Sequence, residues 1–186
     1  MRAPDSFELR PMTESDLRTV WTWRNSGRIR AVSFADHEIT WEEHLAWFER
    51  CKRDVRTRQM LFECAGKPTG VVNFTGIDRQ AGSSEWGFYI GDQNVPRGSA
   101  SVMGFLALDY AFSELQLRKL IAQSFVSNDA SVRYHQRLGF REIKGRRGRF
   151  KKGGEMLDVM CLELTAERWH DQRPSLEQKL FSGEEK

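Results

Sequence analysis

The sequence predicts a mixed α/β layer fold, and three observations carry that prediction. Three alternating apolar runs follow one another at 60–65, 69–78 and 83–91. A helix-length segment at 102–115, VMGFLALDYAFSEL, is apolar almost all round. A strand-like run at 118–126 leads into an amphipathic segment, and two final strand-like runs flank a basic hairpin. Strands of period two interleaved with helices of period 3.6 bury their apolar faces by stacking in layers around one core.

The elements are justified in chain order. MTESDL opens a helix, with Thr13 as cap and Asp16 at the third position. Leu17, Val20 and Trp21 form its apolar stripe, and Arg24 falls on that stripe. ITWEEH opens a second helix, with Thr40 as cap and Glu43 in the capping-box position. There His44, Trp47, Phe48 and Cys51 share one side. MLFECA and TGVVNFTGID are strands joined by a turn at Gly66-Lys67-Pro68. In the second of them Val72 and Phe74 point one way, Asn73 and Thr75 the other. In SSEWGFYIG, Trp86, Phe88 and Ile90 share one face, and Glu85, Gly87 and Tyr89 share the other. The apolar helix must be largely buried. RKLIAQSFV is a strand, NDASVRYHQRL a helix stopped by Gly139, and FREI and EMLDVMCLEL the last two strands.

Composition bounds the rest. A chain of 186 residues, 39% hydrophobic and 30% charged, reads as one soluble domain over 1–172 with a polar, loosely held tail at 173–186. No apolar run approaches the ~20 residues of a membrane span, and MRAPDSFELR lacks an apolar signal core. The expectation is a cytoplasmic protein without a membrane partner. Cys51, Cys64 and Cys161 are widely spaced, which argues against a disulfide frame and against a metal site. A net charge of +3 is too small to imply nucleic acid. The basic run KGRRGRFKKGG at 144–154 reads first as a solvated hairpin loop and second as a phosphate-attracting rim. Monomer and homodimer both stay open.

VPRGSASVMG at 95–104 carries the chemistry. A buried helix presents unpaired N–H groups at its start, and these favour an anion. Gly98, Ser99, Ala100 and Ser101 let a phosphate approach the backbone, and Arg97 adds a charge. By itself the stretch is equally a Gly/Ser turn that caps a core helix. Taken with NDASVRYHQRLGF at 128–140, it resembles the GNAT superfamily of acetyl-CoA-dependent N-acetyltransferases. The family's R/Q-x-x-G-x-G/A loop aligns with Val95-Pro96-Arg97-Gly98-Ser99-Ala100, with Val95 departing at the first position. Asn128, Ser131, Tyr134, Gly139 and Phe140 match its downstream pattern, and the resemblance covers roughly 7–164. It implies a central mixed sheet of about seven strands flanked by helices, and acetyl-CoA as cosubstrate. It also implies roles. The backbone of Gly98 to Ser101 would hold the diphosphate, a bulged strand near Ile90 the pantetheine arm and the acetyl oxygen, and Asn128 and Ser131 the coenzyme.

Acetyl transfer needs a neutral amine, a stabilised oxyanion and a protonated leaving thiolate. Backbone N–H groups serve the oxyanion. Tyr134 is the candidate general acid: tyrosine (~10) lies ~1.5 units above a thiol (~8.5), a mismatch of ~2 kcal/mol that an acid can carry. Its plainer reading is a helix tyrosine packed near Leu138. The base is Glu85, acting through water, or His44, or bulk water where a weakly basic amine needs no dedicated base; Glu85 reads equally as an edge carboxylate, and His44 as a packed histidine.

For the acceptor, VWTWRNSGRIRAVS and ITWEEHLAWFE resemble the branch that acetylates a UDP-linked 4-amino-4,6-dideoxy sugar in pseudaminic acid biosynthesis. Arg24, Arg28 and Arg30 would meet a nucleotide diphosphate, with Asn25 in the same WRN motif. Trp47 or Tyr89 would stack on uracil or sugar, and Asn73 and Thr75 would read hydroxyls. Acetylation of protein N-termini or aminoglycosides, and a nonenzymatic RNA-binding module using the basic hairpin, stay as alternatives.

Overall fold

The computed structural model describes residues 6–181. Seven strands form one sheet in the order β1-β2-β3-β4-β5-β7-β6. They are β1 (Phe7–Pro11), β2 (Arg58–Cys64), β3 (Lys67–Asp78), β4 (Ser83–Ile90), β5 (Lys119–Phe125), β6 (Arg141–Lys152) and β7 (Glu155–Thr165). Every neighbouring pair is antiparallel except β4 and β5, which run parallel. The helices are α1 (Leu17–Asn25), α2 (Gly27–Val32), α3 (Trp41–Arg53), α4 (Ser99–Asp109), α5 (Asp129–Arg137) and α6 (Ala166–Phe181). The expected mixed sheet flanked by helices is what forms.

Strand alternation sends side chains to two cores. Met60, Phe62, Val72 and Phe74 pack on one face with Val102, Met103, Phe105 and Leu108 of α4. Leu61 and Val71 face the other way, against Leu17 and Val20 of α1 and Phe48 of α3. A sheet with both faces covered needs an apolar α4, and α4 is the parallel crossover from β4 to β5. A π-helical turn, Tyr110–Glu114, continues it.

Both helix starts read from the sequence are present. Asp16 accepts the Thr13 backbone N–H at 2.8 Å, and Glu43 accepts the Thr40 N–H at 2.7 Å. Asp16 does more, because Arg10 of β1 reaches it through two nitrogens at 2.8 Å each and also contacts Glu63 of β2. These ion pairs tie the first strand to the first helix.

Four expectations change. β1, α2 and α6 were not foreseen; each is short or polar and is held by tertiary contacts. The tail expected from 173 begins inside α6, where Arg173 pairs with Asp109 at 2.7 Å, and of that tail 182–186 lie outside the described residues. The basic run 144–154 is the outer part of β6 and the Gly153-Gly154 turn that follows it, not a free loop. Its middle is exposed, but its end folds back: Lys152 Nζ donates to the carbonyls of Arg30, Ala31 and Ser33 at 2.6–2.8 Å. Phe150 meets Phe34 at 5.1 Å, and Phe34 meets Phe125 at 4.7 Å. Finally, β4 has no bulge near Ile90. Its register with β3 runs unbroken from Gly70↔Ile90 to Thr75↔Glu85, and the shift comes after Thr75.

Candidate active site

In place of a bulge, β4 and β5 part. Their pairing runs only from Ser83↔Lys119 to Glu85↔Ile121. Beyond it, residues 86–90 of β4 and 122–125 of β5 diverge and leave two facing backbone edges unpaired with each other. Open strand edges are ready hydrogen-bonding templates for an extended chain. A cavity of about 690 Å³ opens here, lined by Gly87, Phe88 and Tyr89 on one side and Gln123, Ser124 and Phe125 on the other.

The cavity reaches both the start of α4 and the α1–α3 side of the molecule. At the first end lie Ala100, Asn128, Ser131, Tyr134 and His135. Gly98 caps α4 with φ of 87°, a left-handed conformation that suits glycine. Two of the four amides of the expected cradle are already used in the turn: Ser99 N–H donates to Pro96 O and Ser101 N–H to Gly98 O. The Ser99 hydroxyl also donates to Pro96 O at 2.7 Å. Arg97 is exposed beside this turn. Asn128 caps α5 by accepting the Ser131 N–H at 3.2 Å. A narrow polar chain ending in phosphates fits this geometry, with its arm between the strands and its charge at the α4 start.

Tyr134 sits where cleft and helix start meet. Its hydroxyl donates to Ala100 O at 2.6 Å, and its ring lies 4.7 Å from that of Phe88. Burial raises its phenol above the ordinary value, so it stays protonated at neutral pH. Gly104 is bare for its sake, since a Cβ there would lie 2.3 Å from the Tyr134 hydroxyl. His135, which sequence reading passed over, lies beside it with Nδ1 2.8 Å from Ser131 O. Burial pushes this imidazole down to about 4, so it is neutral.

At the other end the cavity is lined by Arg24, Arg28, His44, Trp47 and Asn73. Arg24 Nη2 donates to Ala35 O at 2.9 Å, while Nη1 is buried without a partner. His44 is 3% exposed and stacks on Trp47 at 5.1 Å, its Nε2 buried and also unpartnered. Burial lowers its basicity, against a smaller opposing effect from the Leu17 carbonyl. Tyr89 faces Arg24, and burial holds its phenol protonated. Among the described residues, no Asp or Glu lines this cavity.

Other expected residues are placed differently. Asn25 spends its amide on Ile39, donating to its carbonyl at 2.8 Å and accepting its N–H at 2.9 Å. Arg30 binds Asp36 O at 3.0 Å and approaches Glu38 at 3.9 Å. Arg28 reaches the Ile90 and Gly91 carbonyls at 2.9 Å, so the Ile90 backbone already has a partner. Thr75 and Glu85 line an adjoining groove with Gln123, whose amide donates to Glu85 at 3.2 Å. The structure therefore gathers Tyr134, Ser131, Ala100, His44, Asn73 and Arg24 around one cavity and leaves Asn25 and Arg30 in its scaffold. No local signal marked the β4–β5 divergence, and Gly104, visible as one of the small residues of 95–104, gave no sign that Tyr134 would lie against it, since both depend on which segments meet in three dimensions.

Comparison with known proteins identifies the family and supports the fold. Residues 6–141 match the acetyltransferase (GNAT) domain family. The spermidine N(1)-acetyltransferase of Escherichia coli strain K12 is 26% identical over 140 residues, which is 75% of each chain. Its counterpart from Vibrio cholerae is 27% identical over 135 residues, covering 72% of this chain and 78% of that one. Among solved structures, the V. cholerae spermidine N-acetyltransferase in complex with CoA and spermine superposes with a TM-score of 0.82 at 24% identity, over 89% of this chain and 99% of that one. These relatives are named for polyamines, not for nucleotide sugars.

Proposed function

Because the chain belongs to the GNAT acetyltransferase family and is an acetyl-CoA-dependent N-acetyltransferase of an amine, we propose that its acceptor is an amine on an anionic or neutral polar scaffold. The UDP-linked 4-amino-4,6-dideoxy sugar read from the N-terminal motifs is the foremost candidate. One observation carries this reading: the cavity presents Arg24 and Arg28, and no carboxylate lines it among the described residues. A polyamine entering there would set ammonium against guanidinium without a counter-charge. A phosphate or sugar carbonyl would instead satisfy the buried Nη1 of Arg24.

Acetyl-CoA supplies an acyl thioester, whose carbonyl carbon the amine attacks and whose sulfur leaves. The chain's part is positional and electrostatic. The unpaired N–H groups of β4 at 86–90 would bind the pantetheine arm and the acyl oxygen. The free amides at the α4 start and Arg97 would hold the diphosphate. Tyr134 would release Ala100 O and give its proton to the departing sulfur; burial keeps the phenol protonated at every physiological pH but also widens its mismatch with the thiolate beyond that of the free groups, a cost that its fixed placement would offset. The outer arm of β6, clasped by Lys152 onto the end of α2, would wall the acceptor side from water.

A second reading has its own support. The relatives' named activity favours a polyamine, and Glu85 in the adjoining groove would take one ammonium. Free thiol release from acetyl-CoA separates the readings when measured with the UDP-4-amino sugar, spermidine, an N-terminal peptide and an aminoglycoside. Turnover is expected to be fastest with the nucleotide sugar. Release with spermidine alone would replace the anionic-scaffold reading with the polyamine one.

A further inference from the structure

Among the described residues, four polar atoms of the cavity-lining side chains are buried without a partner: Arg24 Nη1, His44 Nε2, Asn73 Oδ1 and Trp86 Nε1. Leaving such atoms unpaired costs stability, so their number and type describe what the cavity is built to receive. Two are donors. Asn73 Oδ1 is an acceptor, and His44 Nε2 becomes one when the ring proton is placed on Nδ1, toward Leu17. Stacking on Trp47 at 5.1 Å, with Trp41 at 6.0 Å, fixes the ring plane.

Asn73 is placed by the sheet. It pairs with Gly87, inside the stretch where β4 has parted from β5. Gly87 carries no side chain beside it, and both residues line the cavity. A neutral primary amine has two N–H groups and one lone pair. Two acceptors beside an electrophile are its complement.

We infer that the acceptor amine enters neutral, gives its two N–H groups to His44 Nε2 and Asn73 Oδ1, and so aims its lone pair at the β4–β5 opening. When the C–N bond forms, nitrogen becomes positive. One N–H bond then breaks, its electron pair stays on nitrogen, and the proton bonds to His44 Nε2. The remaining N–H keeps its hydrogen bond to Asn73. His44 is thus the catalytic base and Asn73 a second contact to the reacting nitrogen, while Glu85 faces the adjoining groove. The assignment rests on the acetyltransferase reading but not on which scaffold carries the amine.

Arg24 of α1 and Tyr89 of β4 share the cavity with His44, and Arg18 of α1 lies over the neighbouring Trp41 ring. Each is cationic or neutral at pH 7, so none would hold His44 protonated. Burial lowers its basicity below that of a free imidazole, which favours the proton-accepting form at neutral pH.

The test uses the full chain and whichever of the four amines the wild type acetylates. His44→Gln is expected to lower kcat about 100-fold, the smaller end of general-base contributions. The acid limb of the wild-type kcat profile should vanish with it. Coenzyme A affinity by calorimetry should stay within about threefold, since His44 lies at the acceptor end. Asn73→Ala should raise KM more than it lowers kcat. A kcat for His44→Gln within about threefold of wild type, with the acid limb intact, would overturn the assignment. If that variant does not fold, long-range proton–nitrogen NMR of the wild type decides. With 4 histidines in the chain, resonances are assignable, and an Nε2–H tautomer of His44 at pH 7 would overturn the assignment equally. A wild type that binds coenzyme A but acetylates spermidine alone strikes the substrate reading and leaves this test intact.

Discussion

The Tyr134 hydroxyl donates to the carbonyl of Ala100 at 2.6 Å, joining the middle of α5 to the first turn of α4. The general-acid candidate and the coenzyme-binding turn are therefore one unit. The tyrosine is aimed by the same helix start that would hold the diphosphate. Removing its hydroxyl should separate chemistry from binding. Tyr134→Phe is expected to lower kcat about 100-fold while coenzyme A affinity by calorimetry changes little. Unchanged kcat where chemistry is limiting would remove Tyr134 from the mechanism.

Gly104 tests the same unit by steric means. A methyl group there would stand 2.3 Å from the Tyr134 hydroxyl and 2.8 Å from Leu138 Cδ1. The rigid phenol cannot yield without leaving Ala100. Gly104→Ala should cost about 1–3 kcal/mol in denaturant unfolding and match Tyr134→Phe in lost turnover. A variant with full activity would show that the close approach is not used.

Arg24 should govern the acceptor alone. It lines the cavity, and its Nη1 is buried without a partner. Arg24→Met keeps much of the side-chain volume and removes the charge. It should raise KM for an anionic acceptor at least tenfold, about 1.4 kcal/mol, with coenzyme A affinity unchanged. If KM falls for spermidine in the same variant, the cationic lining is what rejects polyamines.

Lys152 holds the β6–β7 turn to the end of α2 through three carbonyls, and burial lowers its basicity. Lys152→Met would leave those helix-end carbonyls without their cation. Hydrogen exchange should quicken in 30–36 and 149–155 and nowhere else. Protection unchanged in both segments would show that the clasp does not hold them.

Asp16 carries a pH prediction. Burial disfavours its carboxylate, but hydrogen bonds from Arg10 and Thr13 outweigh that and hold it below the ordinary range. A depressed folded value means the stabilisation is present above the unfolded value near 3.9 and is lost as pH falls through the folded one. Asp16→Asn should therefore destabilise the protein by about 2–3 kcal/mol at pH 7, with the difference from wild type shrinking below pH 4. Equal differences at pH 7 and pH 3 would refute the linkage.

What the amino-acid order settled by itself is local. Capping boxes at Thr13 and Thr40 and the alternation in 69–78 and 83–90 depend on neighbours a few residues away, and the structure keeps them. Ala100 of the small-residue run and the spacing Asn128, Ser131, Tyr134 likewise marked one end of the cavity. Contacts between distant segments decided the rest. Asn25 and Arg30 look like ligands in a motif, yet Ile39 and Asp36 claim them once the loop after α2 folds back. The polar α6 forms because Trp169 buries against α4 and Arg173 finds Asp109. The opening between β4 and β5 has no signature in either strand. It exists because two edges stop pairing after Glu85 and Ile121, and separation between strands is a property of their relative placement, which no single segment encodes.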